Sequence, residues 1–195
     1  MPTTDRGRTL LSMARAAIAH ALGREGTADE VAPWLQDKGA CFVTLTQKGR
    51  LRGCIGSIQA RRPLAQDVQA NAVAAALHDP RFPPLAAKEL AYTQIEVSLL
   101  SPMQALTFTS EADALAQLRP GVDGLVFEFE RYRSTFLPQV WEQLPDPQEF
   151  LAQLKSKAGL PHQFWAEGVR LHRYSVQKWT ETDRSGSNAD AATSP

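Results

Sequence analysis

The chain has 195 residues, 43% hydrophobic and 22% charged, with 21 Lys+Arg offset by 21 Asp+Glu for a formal net charge of zero. That length suits one domain or two small lobes able to bury about 70% of their unfolded surface, and the charge balance leaves no broad field to draw a nucleic-acid backbone or an anionic membrane. No apolar run reaches the roughly 18 residues of a membrane-spanning helix, because the longest alanine-rich stretch is interrupted by Asn71 and ends at His78-Asp79-Pro80.

From the N-terminus, Leu11, Ala14, Ile18 and Leu22 recur at helical spacing, which predicts an amphipathic helix over Arg8 to Leu22 ended by Gly23 in a left-handed conformation. Arg24 to Lys38 is charged and holds Pro33, so it reads as a loop pinned by Trp34. Ala40 to Thr46 alternates Cys41, Val43 and Leu45 against Phe42 and Thr44, and Gln47-Lys48-Gly49-Arg50 supplies a turn into Leu51 to Ile58. This is a β-hairpin. On a regular second strand Arg52, Cys54 and Gly56 share one face, and Leu51, Gly53 and Ile55 the other.

Pro63 to Leu77 carries an apolar stripe of Leu64, Val68, Ala72, Ala75 and Ala76 and predicts a second helix, with Asp67, Asn71 and His78 along one edge. Asp79-Pro80-Arg81-Phe82-Pro83-Pro84 then forces an extended exit. Tyr92 to Leu100 alternates as a strand whose polar face holds Gln94, Glu96 and Ser98. Ser110 with Asp113 opens a short helix to about Leu118, and Gly124 to Glu130 pairs with Tyr132 to Leu137. Asp146, Pro147 and Glu149 start another helix that Gly159 ends, and Val169 to Trp179 reads as one last strand. Asp183 to Pro195 is small, polar and aperiodic, the composition of a disordered tail. Hairpins and helices without regular strand-helix-strand alternation predict an α+β fold, with helices packed on a mostly antiparallel sheet.

Chemistry concentrates at Leu51-Arg52-Gly53-Cys54-Ile55-Gly56, where a thiol sits between two glycines in a run that directly follows an arginine. Glycine in a strand costs entropy and packing, so the pair points to close approach of another backbone or a ligand. A neighbouring cation, Arg52 or Arg81, would favour a thiolate at Cys54, as nucleophile or redox group. Cysteine is equally a small residue that packs well, and both readings stand. His78 offers a general base but sits at a helix end beside Pro80, a position that capping or solvent exposure explains as well. Asp79 with Arg81 can lock the helix exit, and Glu96 can be a general base or a solvent-facing strand residue. Asn71, an amide inside an alanine-rich helix, needs partners: ligand or backbone. The four histidines are scattered and neither cysteine belongs to a close pair, so no metal set is expected. Gly53 to Ser57 lacks the spacing and lysine of a phosphate-binding loop. Met1-Pro2-Thr3-Thr4-Asp5-Arg6 is not a secretory leader, so Cys41 and Cys54 are expected as free thiols in the cytoplasm.

The ordered blocks Leu51-Arg52-Gly53-Cys54-Ile55-Gly56, Asn71-Ala72 before Asp79-Pro80-Arg81-Phe82-Pro83-Pro84, Glu96-Val97-Ser98-Leu99-Leu100, Leu137-Pro138-Gln139-Val140 and Lys157-Ala158-Gly159-Leu160 resemble the AMMECR domain family. Its bacterial and archaeal members are called AmmeMemoRadiSam system protein A. The resemblance, running roughly from Thr9 to Thr180, implies two unequal α+β lobes with a cleft between them. The larger would come from the N- and C-terminal parts of the chain, the smaller would include the 40–58 hairpin, and residues 1–182 would form the domain. The resemblance carries no reaction and names no cofactor. It implies partners, a Memo-type protein and a radical S-adenosylmethionine protein.

The resulting expectation is an accessory or interaction role, with Arg52, Cys54, Asn71, Arg81 and Glu96 gathered around one pocket. Arg52, Gly53, Gly56, Asn71, Asp79 and Arg81 are its ligand-binding candidates. The alternative is an enzyme that uses Cys54, with Glu96, on a small molecule or protein. Oligomeric state stays open.

Overall fold

A computed structural model describes residues 3–26 and 32–181; the expected tail after Asp183 lies outside the described residues, as does part of the Arg24 to Lys38 loop. The elements run α1 (Thr3–Ala21), β1 (Lys38–Gly39), β2 (Cys41–Gln47), β3 (Arg50–Gly56), β4 (Arg62–Pro63), α2 (Leu64–Leu77), β5 (Gln94–Leu100), β6 (Gln104–Ala105), α3 (Glu111–Ala116), β7 (Gly124–Phe129), β8 (Tyr132–Phe136), α4 (Pro147–Lys157), β9 (Arg170–Tyr174) and β10 (Val176–Thr180). Helices alternate irregularly with mostly antiparallel strands, so the α+β expectation holds. No helix among the described residues is long and apolar enough to cross a membrane.

The chain divides into two compact units, Met1–Leu99 with Lys178–Pro195 and, inserted between them, Leu100–Gln177. The hairpin expected in the smaller lobe belongs instead to the first unit, which holds the larger share of the chain. There the sheet order is β10-β5-β2-β3. Cys41, Val43 and Leu45 on β2 join Ile95 and Val97 on β5 in burying one face of this sheet against Val68, Ala72 and Ala75 of α2 and Leu10, Ala14 and Ile18 of α1. Alternation thus does what the sequence foretells, turning apolar side chains to the helices and Phe42, Thr44 and Glu96 to the other side. α1 starts five residues before the expected Arg8 and stops at Ala21, with Gly23 at φ +71°.

The second unit has a sheet of order β6-β9-β7-β8 and its own core, in which Phe127, Leu125 and Leu171 meet Phe150, Leu151 and Leu154 of α4, and Trp141 stacks on Phe150 at 3.7 Å between ring centroids. Both expected caps form: Ser110 Oγ accepts from the Asp113 amide at 3.1 Å, and Asp146 Oδ1 from that of Glu149 at 2.9 Å. The single strand expected over Val169 to Trp179 is two, β9 and β10, which belong to different sheets and part at Ser175. No glycine or proline marks that break, so periodicity alone ran through it.

Candidate functional site

β3 is an edge strand, and Cys54 sits in its middle. Gly53, one residue earlier, faces α2 so closely that an added Cβ would overlap the Ala75 carbonyl oxygen. Gly56 likewise leaves room for the Phe42 ring on the opposite face. The two glycines of the motif therefore serve two faces: one admits a helix backbone, the other an aromatic ring. The close approach foreseen for the pair is to the protein's own groups.

Between them Cys54 is half-buried, opposite Thr44, which in turn pairs with Glu96 on β5. Cys54, Thr44 and Glu96 thus form one row across the sheet on the face turned from the helices. Thr44 Oγ1 donates to Cys54 Sγ at 3.3 Å. Glu96 accepts from Thr180 Oγ1 at 3.1 Å and lies 3.4 Å from Lys178 Nζ, so its carboxylate is already paired.

At the open side of β3 the Asp79–Arg81 segment takes the place of a neighbouring strand. Asp79 Oδ2 accepts from the Cys54 amide at 2.8 Å, and Arg81 Nη2 donates to the Cys54 carbonyl at 3.1 Å. Asp79 and Arg81 join each other through Nη2 at 2.7 Å and Nε at 2.9 Å. Asp79 is 4% exposed, and the Arg81 hydrogen bond, helped by the Cys54 amide against the cost of burial, holds its carboxyl well below the usual carboxylate range. The same pairing raises the Arg81 guanidinium.

Arg52 stands apart from this pair. The hairpin register slips by one residue between Leu45 and Thr46, placing Arg52 in a bulge that the regular-strand reading did not contain. Its guanidinium donates to the carbonyl of Pro83 at 2.9 Å and pairs with Glu89 at 3.3 Å. The Ala86 amide, followed by Arg52 and Gln47, keeps Glu89 below its ordinary value. The 79–84 segment is accordingly tied to β3 at two levels, Cys54 and Arg52.

Asn71 departs most from the expected gathering. It is buried on the helix side of the sheet, where Nδ2 donates to the Cys41 carbonyl at 3.0 Å and to Asp67 at 2.9 Å. Asp67, unassigned by sequence reasoning, is the hub: it also accepts from the Cys41 amide at 2.9 Å, Ser57 Oγ at 2.8 Å and Arg62 Nε at 2.8 Å. Burial, then the Asp67 charge, pushes the Cys41 thiol far up. Cys41 and Cys54 face opposite sides of the sheet as free thiols. His78 is exposed at the C-terminal cap of α2, and the group at hydrogen-bond distance from Sγ is the Thr44 hydroxyl. Thr44 was legible only as a strand residue; knowing which residue sits opposite Cys54 required the register. Of the expected set, the structure brings Cys54, Asp79, Arg81 and, along the row, Glu96 together; Arg52 adjoins them and Asn71 does not.

Among the described residues no three His, Cys, Asp or Glu side chains converge on a point where a metal would sit. The AMMECR1 family model matches residues 11–179. A protein of Methanothermobacter thermautotrophicus is 40% identical over 182 residues, covering 91% of this chain and 95% of its own, and protein MJ0810 of Methanocaldococcus jannaschii is 35% identical over 189 residues, covering 94% of each. The crystal structure of the uncharacterized protein PH0010 from Pyrococcus horikoshii superposes with a TM-score of 0.80 at 33% identity, covering 93% of this chain and 94% of that one.

Proposed function

The chain belongs to the AMMECR1 family, and from that membership we propose an accessory, recognition role for it in a modification system with a Memo-type protein and a radical S-adenosylmethionine protein, the face around Cys54 being its recognition site. The observation that carries this reading is the state of Cys54 itself. Its amide, carbonyl and sulfur each have a partner, in Asp79, Arg81 and Thr44, and none of the three is a base suited to take the thiol proton. Such an arrangement fixes the shape and hydrogen-bonding pattern of a surface. The half-exposed Arg81 guanidinium, 53% accessible at its side chain, adds a cation at the rim. Co-purification tests the role: wild type is expected to retain the Memo-type and radical S-adenosylmethionine proteins, and Cys54→Ala and Arg81→Ala to retain less. Absence of both partners from wild type would sink it.

A second reading, Cys54 as nucleophile or redox thiol, draws on the Thr44 hydroxyl, which donates into Sγ and stabilises negative charge there. It requires Cys54 to alkylate with iodoacetamide in the folded protein while Cys41, buried beside Asp67, stays protected until denaturation. Labelling of Cys54 no faster than that of Cys41 removes this reading.

A further inference from the structure

Three segments bring their side chains to the Cys54 sulfur and its backbone. Thr44 Oγ1, opposite Cys54 on β2, donates to Sγ at 3.3 Å. From the 79–84 segment, Arg81 Nη2 donates to the Cys54 carbonyl at 3.1 Å. The Arg81 guanidinium is raised by its hydrogen bond to Asp79, against the cost of burial, and further by the charge and hydrogen bonding of the Cys54 side chain, so it stands beside the sulfur as well as the carbonyl. Its Nε and Nη2 are taken up by Asp79 and Cys54, whereas Nη1 has no hydrogen-bond acceptor among the described residues and 53% of the side chain is exposed. A half-buried thiol thus has at hand a hydroxyl donor and a guanidinium with an N–H to spare.

Attack of a thiolate on a hydroperoxide needs both. Negative charge on sulfur must be stabilised beforehand, and the departing oxygen must be met by a donor as it takes up charge. The reagent is neutral, so the pairing of Arg81 with Asp79 does not count against it: the reaction calls for an N–H, not for a net positive surface.

We propose that Cys54, taken as the redox thiol of the second reading above, is a modification site: hydroperoxides oxidise it to a sulfenic acid that persists until external thiols reduce it. The thiol proton leaves to solvent. A sulfur electron pair forms the S–O bond to one peroxide oxygen as the O–O bond breaks, and the other oxygen departs as hydroxide or alkoxide and is protonated to water or alcohol. Sulfur loses two electrons and the peroxide gains them. Thr44 steadies the thiolate, and Arg81 Nη1 meets the departing oxygen. Persistence follows from the sheet, which closes both internal fates of a sulfenic acid, a disulfide and a bond to a backbone nitrogen. Cys41, the other cysteine, is buried on the opposite face. The Cys54 amide points outward to Asp79, so alternation turns the Ile55 amide into the ladder with β2. Two external thiols then restore Cys54 and leave as their disulfide, with water.

The test uses the full chain, reduced and freed of reductant, treated with hydrogen peroxide in the presence of dimedone, which traps sulfenic acid, and in parallel with iodoacetamide. Peptide mass spectrometry is expected to find dimedone on Cys54 and none on Cys41, and dithiothreitol added before dimedone should abolish the adduct. Iodide needs no proton donor to leave, so the ratio of the peroxide rate to the iodoacetamide rate isolates the part played by Arg81. Arg81→Met should lower that ratio about tenfold or more, the worth of one hydrogen bond to a charged group, at an unchanged circular dichroism spectrum. Thr44→Val should slow both reagents alike, and it decides if Arg81→Met does not fold. Alkylation of Cys54 without a dimedone adduct overturns the proposal and leaves the redox reading standing; absence of both labels removes the two together. A disulfide between Cys41 and Cys54 overturns it as well, as does a ratio unmoved in folded Arg81→Met or rates unmoved in Thr44→Val.

Discussion

A methyl group at position 53 has nowhere to go, because the Ala75 carbonyl belongs to the backbone of α2 and cannot rotate aside. Gly53→Ala must therefore push the helix from the sheet or distort β3, at about 1–3 kcal/mol by analogy with overpacked cores. Gly49 makes the instructive contrast, with φ +73° and open space around its missing Cβ. Alanine there costs only backbone strain, about 1 kcal/mol. Urea unfolding of the two variants should rank Gly53→Ala below Gly49→Ala; the reverse order would mean that α2 yields easily and that the motif glycine is not a packing requirement. The motif reads differently in this light: Gly53 admits a helix and Gly56 admits Phe42, Ile55 packs against the core of the first unit, and Cys54 is half-buried on the face turned from the helices.

Among the elements, the 79–84 segment contributes most to the site without being helix or strand. It is a strap, anchored by Asp79 and Arg81 at Cys54 and by the Pro83 carbonyl at Arg52, and it closes an edge that would otherwise pair with any passing chain. Its anchor is pH-dependent. The folded carboxyl of Asp79 is depressed, so what it contributes is complete above the unfolded carboxylate range, near pH ~4, and drains away as pH falls below that toward the folded value. Stability measured by urea at successive pH values below ~4 should fall less steeply in Asp79→Asn than in wild type, and the Cys54 amide should exchange faster in the variant at neutral pH. Parallel slopes would show that Asp79 is not the titrating anchor. The extended exit itself was legible, since prolines bar helix on either side of Arg81. So were the hairpin and β5, whose apolar alternation is unbroken. The bulge at Arg52 was not, because one inserted residue leaves no mark in hydropathy, and the hub at Asp67 was not, because its partners arrive from Cys41, Ser57 and Arg62, on segments that only the folded sheet brings together.

At the scale of the molecule there are two hydrophobic cores, one built on α1 and α2, the other on α4 and the β7–β9 strands. The second belongs to a contiguous stretch, Leu100–Gln177, and the ends of that stretch are fastened together: the Ser101 amide donates to the Ser175 carbonyl at 2.9 Å and the Ser175 amide to Ser101 Oγ at 3.0 Å. The fragment Leu100–Gln177 is expected to melt cooperatively by itself, while Met1–Leu99 alone, deprived of β10 and of the Glu181 partner of Arg15, is not. A featureless thermal scan of the inserted fragment would refute that independence. The division was only partly visible in the sequence, where Val169 to Trp179 looks like one strand although its halves serve different sheets. The Arg15–Glu181 pair carries a consequence for the protein's birth. On the ribosome Arg15 emerges 166 residues ahead of Glu181, so α1, α2 and the hairpin must wait through roughly ten seconds or more of synthesis with β5 still lacking its outer neighbour. During that interval the insert can finish folding while its host cannot, and the nascent first unit is the part most in need of a chaperone.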